Sequence, residues 1–193
     1  MSFAAAQPQP EKAQHWTDER LIRECLRGDE QAWSALLEKY KNLIYSIPIK
    51  LGMHQDAPDI FQSVCLDLLT YLPSLREPRA LPKWLMQTCY HKCLRQRQHS
   101  ARKVALDHNA EEFRVAELPQ DLIVQLQREQ MVREVISELP ERCRRMIRML
   151  FFEKPPRPYN AIATELGLAT GSIGFIRGRC LARLKKQLEK KGF

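Results

Sequence analysis

The stretch from Tyr159 to Leu184, YNAIATELGLATGSIGFIRGRCLARL, constrains this chain most. Ala163 is small where one helix must let a second approach, and Gly167 stands four residues later at a turn. Leu168, Ile173 and Ile176 then continue the apolar set at roughly helical spacing. Two short helices crossing at a steep angle satisfy that pattern and leave the second free to enter a DNA major groove. Thr170 is the expected N-cap of the second helix. That helix carries Ser172, Phe175, Arg177 and Arg179, then Arg183, Lys185 and Lys186. A packing unit of three helices with a merely solvated basic face is the competing reading of the same window.

A chain of 193 residues, 44% of them apolar, can build two small cores, and two small helical domains are expected. The net charge of +8 is unevenly spread. Residues 121–193 hold fifteen Lys and Arg against eight Asp and Glu, whereas residues 16–100 hold twelve against ten. The basic excess therefore sits in the C-terminal part, where phosphate neutralisation would hold a polyanion. No run approaches the roughly 20 apolar residues that span a bilayer, and the N-terminus lacks the charged start and apolar run of a signal peptide, so a cytoplasmic location is expected. The six cysteines, at 25, 65, 89, 93, 143 and 180, have no regular spacing and read as reduced, small apolar residues on helix faces. Cys89, His91 and Cys93 invite a metal reading. Cys89 and Cys93 share a helix face while His91 points elsewhere, so no metal is expected.

In chain order, residues 1–15 are rich in Ala, Gln and Pro and are expected to form a disordered tail. A short helix from Thr17 buries Leu21, Ile22, Cys25 and Leu26 and stops at Gly28, where Asp29 can cap the next helix. The second helix runs through Trp33, Leu36, Leu37, Tyr40, Leu43, Ile44 and Ile47, is kinked near its end by Pro48, and stops at Gly52. A third helix, with Pro58 in its first turn, offers Ile60, Phe61, Val64, Cys65, Leu68, Leu69 and Leu72 as its buried face. Asp59, Gln62, Ser63, Leu66 and Asp67 lie opposite. An exposed leucine among short polar groups is how a helix docks on another helix, although a plain solvated face is the default. The prolines of the 73–80 loop rule out a continuous helix. Beyond it, Leu81, Trp84, Leu85, Thr88 and Cys89 mark the inner side of a fourth helix. Lys83, Gln87, Tyr90, His91, Leu94, Arg97 and Gln98 lie outward, a cationic face with an aromatic that can hold a single strand.

The ordered set of a short helix, a long helix, the Asp59-Ile60-Phe61-Gln62 helix, the Leu75-Arg76 loop and the Trp84-Leu85 helix is followed far downstream by Leu139-Pro140-Glu141-Arg142 and the two-helix element. This order resembles the bacterial RNA polymerase sigma factors, and within them the two-domain extracytoplasmic-function group. The resemblance covers about Thr17 to Gln98 and about Val132 to Leu188, and its specificity lies in the co-occurrence of both halves. It implies an all-α fold with residues 16–98 as the domain for core-polymerase binding and minus-ten melting, 99–120 as a flexible linker, and 121–193 as a helix-turn-helix domain for the minus-thirty-five element. It also implies that Asp59, Gln62, Ser63 and Leu66 meet the clamp helices of the polymerase largest subunit. Arg76, Arg79, Lys83, Gln87, Tyr90 and His91 would capture the minus-ten strand by holding an unstacked base. Thr170, Ser172, Phe175, Arg177, Arg179, Arg183 and Lys185 would meet the upstream duplex.

The expected partners are therefore core RNA polymerase and promoter DNA, with an anti-sigma factor as an open further partner. No membrane, cofactor or catalytic residue is expected. A stand-alone helix-turn-helix regulator is the alternative, and it predicts dimerisation and a palindromic site. An enzyme fits worse: Asp56 precedes the third helix, and Asp59 and Asp67 stand about two turns apart on it, too far for shared metal ligation.

Overall fold

The computed structural model describes residues 16–105 and 117–193, with side chains for 16–100 and 117–193. The expected tail at 1–15 and the middle of the expected linker lie outside the described residues. Among the described residues there are eight α-helices and no strand. They fall into two compact units whose boundary lies between Gln127 and Arg128.

The first unit opens with α1 (Asp18–Leu26), whose N-cap Thr17 accepts the Arg20 amide through its side chain at 3.4 Å. Gly28, at φ 85°, makes the left-handed turn that leads into Asp29. The Asp29 carboxylate accepts the Gln31 and Ala32 amides at 2.8 and 3.3 Å and starts α2 (Glu30–Lys50). A cap of this kind contributes about 1 kcal/mol. Asp18 ties α1 to α2 by accepting from the Tyr40 hydroxyl at 2.8 Å and pairing with Lys39 at 2.7 Å.

Pro48 lies inside the last turn of α2 and has no N–H to give the Ile44 carbonyl four residues back. That carbonyl is satisfied from elsewhere: the buried Cys89 thiol donates to it at 3.4 Å. The Cys89 thiol is also raised well above its ordinary pKa, first by its hydrogen bond with the Cys93 thiol and then by burial, so it remains a donor. Burial likewise pushes Cys25 up to about 12.

Helix α3 (Ala57–Tyr71) and α4 (Leu81–Ala105) complete this core. Ala57, Ile60, Val64 and Leu68 of α3 pack inward, and so do Leu81, Leu85, Met86, Cys89 and Cys93 of α4. Each fully buried Leu or Ile contributes about 1.5–3 kcal/mol. Asp67 pairs with Lys92 at 2.8 Å, and Asp56 accepts from Gln96 at 2.9 Å, so both of these carboxylates brace α4 against α3. Short 3₁₀ turns at Leu72–Ser74 and Pro78–Ala80 carry the loop between the two helices. Trp84, expected on the inner side, is partly buried and stacks on Tyr71 with centroids 4.2 Å apart and planes 2° from parallel. Such a stack adds about 0.5–1.5 kcal/mol beyond the area it covers.

The first unit does not stop at α4. Leu118 and Leu126 are buried in its core, with Leu122 and Ile123 packed against it. These residues open α5 (Gln120–Glu138), and the unit boundary falls within that helix.

In the second unit α6 (Glu141–Ile147) passes into one π-helical turn, Arg148–Phe152. It is followed by α7 (Tyr159–Leu166) and α8 (Ile173–Lys190). Gly167 ends α7 at φ 64°, where a side chain would be strained, and the Leu168 amide reaches back to the Ala163 carbonyl at 2.8 Å. Two small clusters form the interior. Met146 and Met149 meet Ile162, Ala163 and Ile173, while Leu139, Cys143 and Ile147 meet Cys180. Arg157 reaches both Glu153 and Glu165, and Arg145 bonds Glu165 at 3.2 Å, so the loop before α7 is pinned to that helix.

Five expectations are corrected. Cys143 and Cys180 are not reduced thiols; they form a disulfide between α6 and α8. Thr170 does not cap α8 through its side chain, because a 3₁₀ turn at Thr170–Ser172 leads into the helix. Leu26, expected to be buried with Leu21, Ile22 and Cys25, is exposed at the last residue of α1, and in the second unit Phe151 of the π turn is exposed while Met149 is buried against α7. Leu69 is exposed as well, because the column Ile60, Val64 and Leu68 meets α2 and α4 on the opposite side of α3.

Candidate functional site

Three surfaces remain once the cores are closed. The first is on α3. Asp59, Gln62, Leu66 and Leu69 are exposed, and at 100° per residue they fall within about 80° of one another. Leu66 and Leu69 are 65% and 52% exposed, an unusual pair of leucines one turn apart on one helix. Ser63 is half-buried at the margin of this stripe. The stripe therefore carries two apolar side chains between short polar ones. Leu69 was missed in the sequence although its spacing from Gln62 and Leu66, at i+7 and i+3, was the available signal.

The second surface joins the 73–80 loop to the outer face of α4. Arg76, Arg79 and Lys83 are exposed. Arg79 is near enough to Glu19 to act on its carboxyl. That carboxyl is held below its ordinary value first by its own backbone N–H, next by Thr17, and by Arg79 to a smaller degree. Tyr90 is partly buried and packs on the core, so one of its faces is already used. Gln87 and His91, one turn apart, approach to 2.8 Å between Nε2 atoms. Gln87 Oε1 accepts the Leu118 amide at 3.4 Å, which leaves its Nε2 to donate to His91 in the tautomer protonated on Nδ1. The structure thus gathers Gln87, Tyr90 and His91, but it engages Gln87 at both ends within the chain. A contact between residues 31 apart in sequence has no local signal.

The third surface is on α8. Ser172, Phe175, Arg179, Arg183 and Lys186 project within about 80° of one another, opposite the buried Ile173 and Cys180. Phe175 is 69% exposed, and the Arg179 guanidinium lies 5.7 Å from its ring centroid. Arg177 falls off this stripe. It bonds the Tyr159 hydroxyl at 2.5 Å and braces α8 against α7. Ser172 turns its hydroxyl back to the Ala169 carbonyl at 2.7 Å, and Thr170 is exposed beside it. Lys185 lies off the stripe, 3.8 Å from Glu189, an exposed pair worth at most about 1 kcal/mol. Gly178 lies about 60° and Gly174 about 100° from the edge of the stripe at Phe175, and a Cβ at either would meet nothing within 4 Å.

Among the described residues no three His, Cys, Asp or Glu side chains converge in a way that could hold a metal ion. No described helix is long and apolar enough to cross a membrane. Compared with known protein families and curated proteins, the chain matches no family model and no curated sequence.

Proposed function

We propose that the chain is a sigma-type initiation factor: it binds core RNA polymerase, recognises promoter DNA and opens it, with no enzymatic step of its own. In this reading α7 and α8 are a helix-turn-helix, and the stripe from Ser172 to Lys186 enters the duplex. Phe175 and Arg179, near the start of α8, reach base edges, while Arg183 and Lys185 meet phosphates. Arg177 acts by holding α8 on Tyr159. In the first unit Arg76, Arg79 and Lys83 take phosphates of the displaced strand. The α4 face at Gln87, Tyr90 and His91 holds an unstacked base, whose extraction costs a few kcal/mol. The factor would work in the cytoplasm beside the polymerase, and there the Cys143–Cys180 bond meets a reducing thiol pool.

The observation that carries this reading is the exposed Gln62, Leu66 and Leu69 stripe on α3. A protein that only bound DNA through α8 has no use for it, whereas a factor that must dock on a helical partner does. The alternative, a stand-alone helix-turn-helix regulator, draws on a different feature. Phe152 and Phe193 line an open apolar groove with Val132 in the second unit and could pair two copies. Run-off transcription with purified core polymerase on a genomic fragment library tests the proposal. Discrete chain-dependent transcripts are expected. A dimer that binds palindromic duplexes and adds no transcript would favour the regulator.

A further inference from the structure

Leu118 is 4% exposed and Leu126 is fully buried, both in the core that α4 helps to form. Leu122 and Ile123, between them, pack on the same core. The Leu118 amide is bonded to Gln87 on the outer face of α4, and Tyr90 is partly buried on the same core. The start of α5 therefore lies over part of the surface assigned above to the unstacked base, while Arg76, Arg79 and Lys83 stay open. The 3.4 Å hydrogen bond is long, so the attachment rests chiefly on the apolar side chains.

We infer that the segment from Leu118 to Leu126 is a self-inhibitory strap, which covers the single-strand surface at Gln87 and must lift before a base can enter. The inference rests on the proposed function for the identity of the ligand, single-stranded DNA. Its physical content is a competition between two occupants of one face. Strap closure lowers the apparent affinity by the fraction of molecules that are open, so a strap closed in more than nine of ten molecules weakens binding about tenfold or more. Phosphate contacts alone, at Arg76, Arg79 and Lys83, remain available to the closed form. They give weak, sequence-blind and salt-sensitive binding.

The test uses the full chain and short, fluorescein-labelled, random-sequence DNA single strands, followed by anisotropy. Leu118→Ser with Ile123→Ser weakens the strap without altering charge, so the electrostatic part of binding is unchanged. Single-strand affinity is expected to rise about tenfold. Duplex affinity, which reads α8, is expected to hold. The wild-type chain gives a second readout that does not depend on a variant folding. Amide hydrogen exchange at 118–126 is expected to accelerate when single strands saturate the protein, while 130–138 keeps its protection. Single-strand binding that leaves 118–126 protected, or a variant with fast exchange there and no gain in affinity, overturns the strap. If core-polymerase pull-down and run-off transcription succeed while the strap tests fail, only the strap falls. If they fail as well, the proposed function falls with it.

Discussion

Reducing the Cys143–Cys180 bond should unfold the second unit and leave the first standing. The two residues are 37 apart, and in the chain-entropy model a loop of that length restricts the unfolded state by about 4 kcal/mol. The second unit has only two small clusters, and a core of this size rarely supplies more than about 3–5 kcal/mol. Removing the bond therefore consumes most of the unit's margin. The three tryptophans, Trp16, Trp33 and Trp84, all lie in the first unit, so their fluorescence is blind to the second. Far-ultraviolet circular dichroism sees both. In urea the reduced protein should show an early loss of helix that tryptophan emission does not follow, whereas the oxidised protein should lose this early step. Thiol titration in denaturant must count two more thiols after reduction, and Cys143→Ala with Cys180→Ala should reproduce the reduced behaviour. If the extra thiols titrate and both transitions stay where they were, the bond does not supply the second unit's margin of stability. Duplex affinity should fall with the early helix loss, because α8 then has no support at Ile173 and Cys180.

Four further outcomes are expected. Replacing Gln62 and Leu66 with Glu should weaken binding to core polymerase in a pull-down titration and change stability by no more than about 0.5 kcal/mol, since both side chains are exposed; unchanged affinity would count against α3 as the docking face. Arg183→Ala should lower affinity for every duplex and reduce the salt slope by about one, while Arg179→Ala should lower it for some sequences more than others. Gly174→Ala and Gly178→Ala should each stabilise the chain by up to about 1 kcal/mol in thermal melts, because the added methyl meets open space; if that flank of α8 approaches DNA, duplex affinity should drop at the same time. The Glu165 carboxyl is lowered from its ordinary 4.5, first by the Arg145 hydrogen bond and also by Arg157. Its contribution is therefore fully present above about 4.5 and is lost as pH falls through the lower folded value, so the Tm advantage of the native chain over Glu165→Gln should hold above about pH 4.5 and shrink as the pH is taken below it.

Much of the architecture was legible because it is written in contacts between residues a turn or less apart. Asp29 bonds the second and third amides after it, Gly28, Gly52 and Gly167 take positive φ where helices end, and Ile60, Val64 and Leu68 repeat every four residues. A sequence displays that periodicity directly, and the exposed positions Gln62, Leu66, Phe175 and Arg179 follow from it as the complement of the buried ones. Which edge of an apolar arc is covered is another matter, because it depends on where the neighbouring helices lie. Leu69 and Phe151 have the residue type of a core and the surroundings of a surface. Met149 is buried because α7 covers its side of the π turn that follows α6. The Cys89 thiol completes the hydrogen bonding of a turn broken by Pro48 on another helix, and Leu118 reaches Gln87 across a long stretch of chain. Likewise, Cys143 and Cys180 pair across three intervening helical segments. Sequence alone determined the helices, the Asp29 cap and the chemistry each face could offer. Only tertiary structure decided which faces were already occupied, because local periodicity says nothing about which distant residues packing brings together.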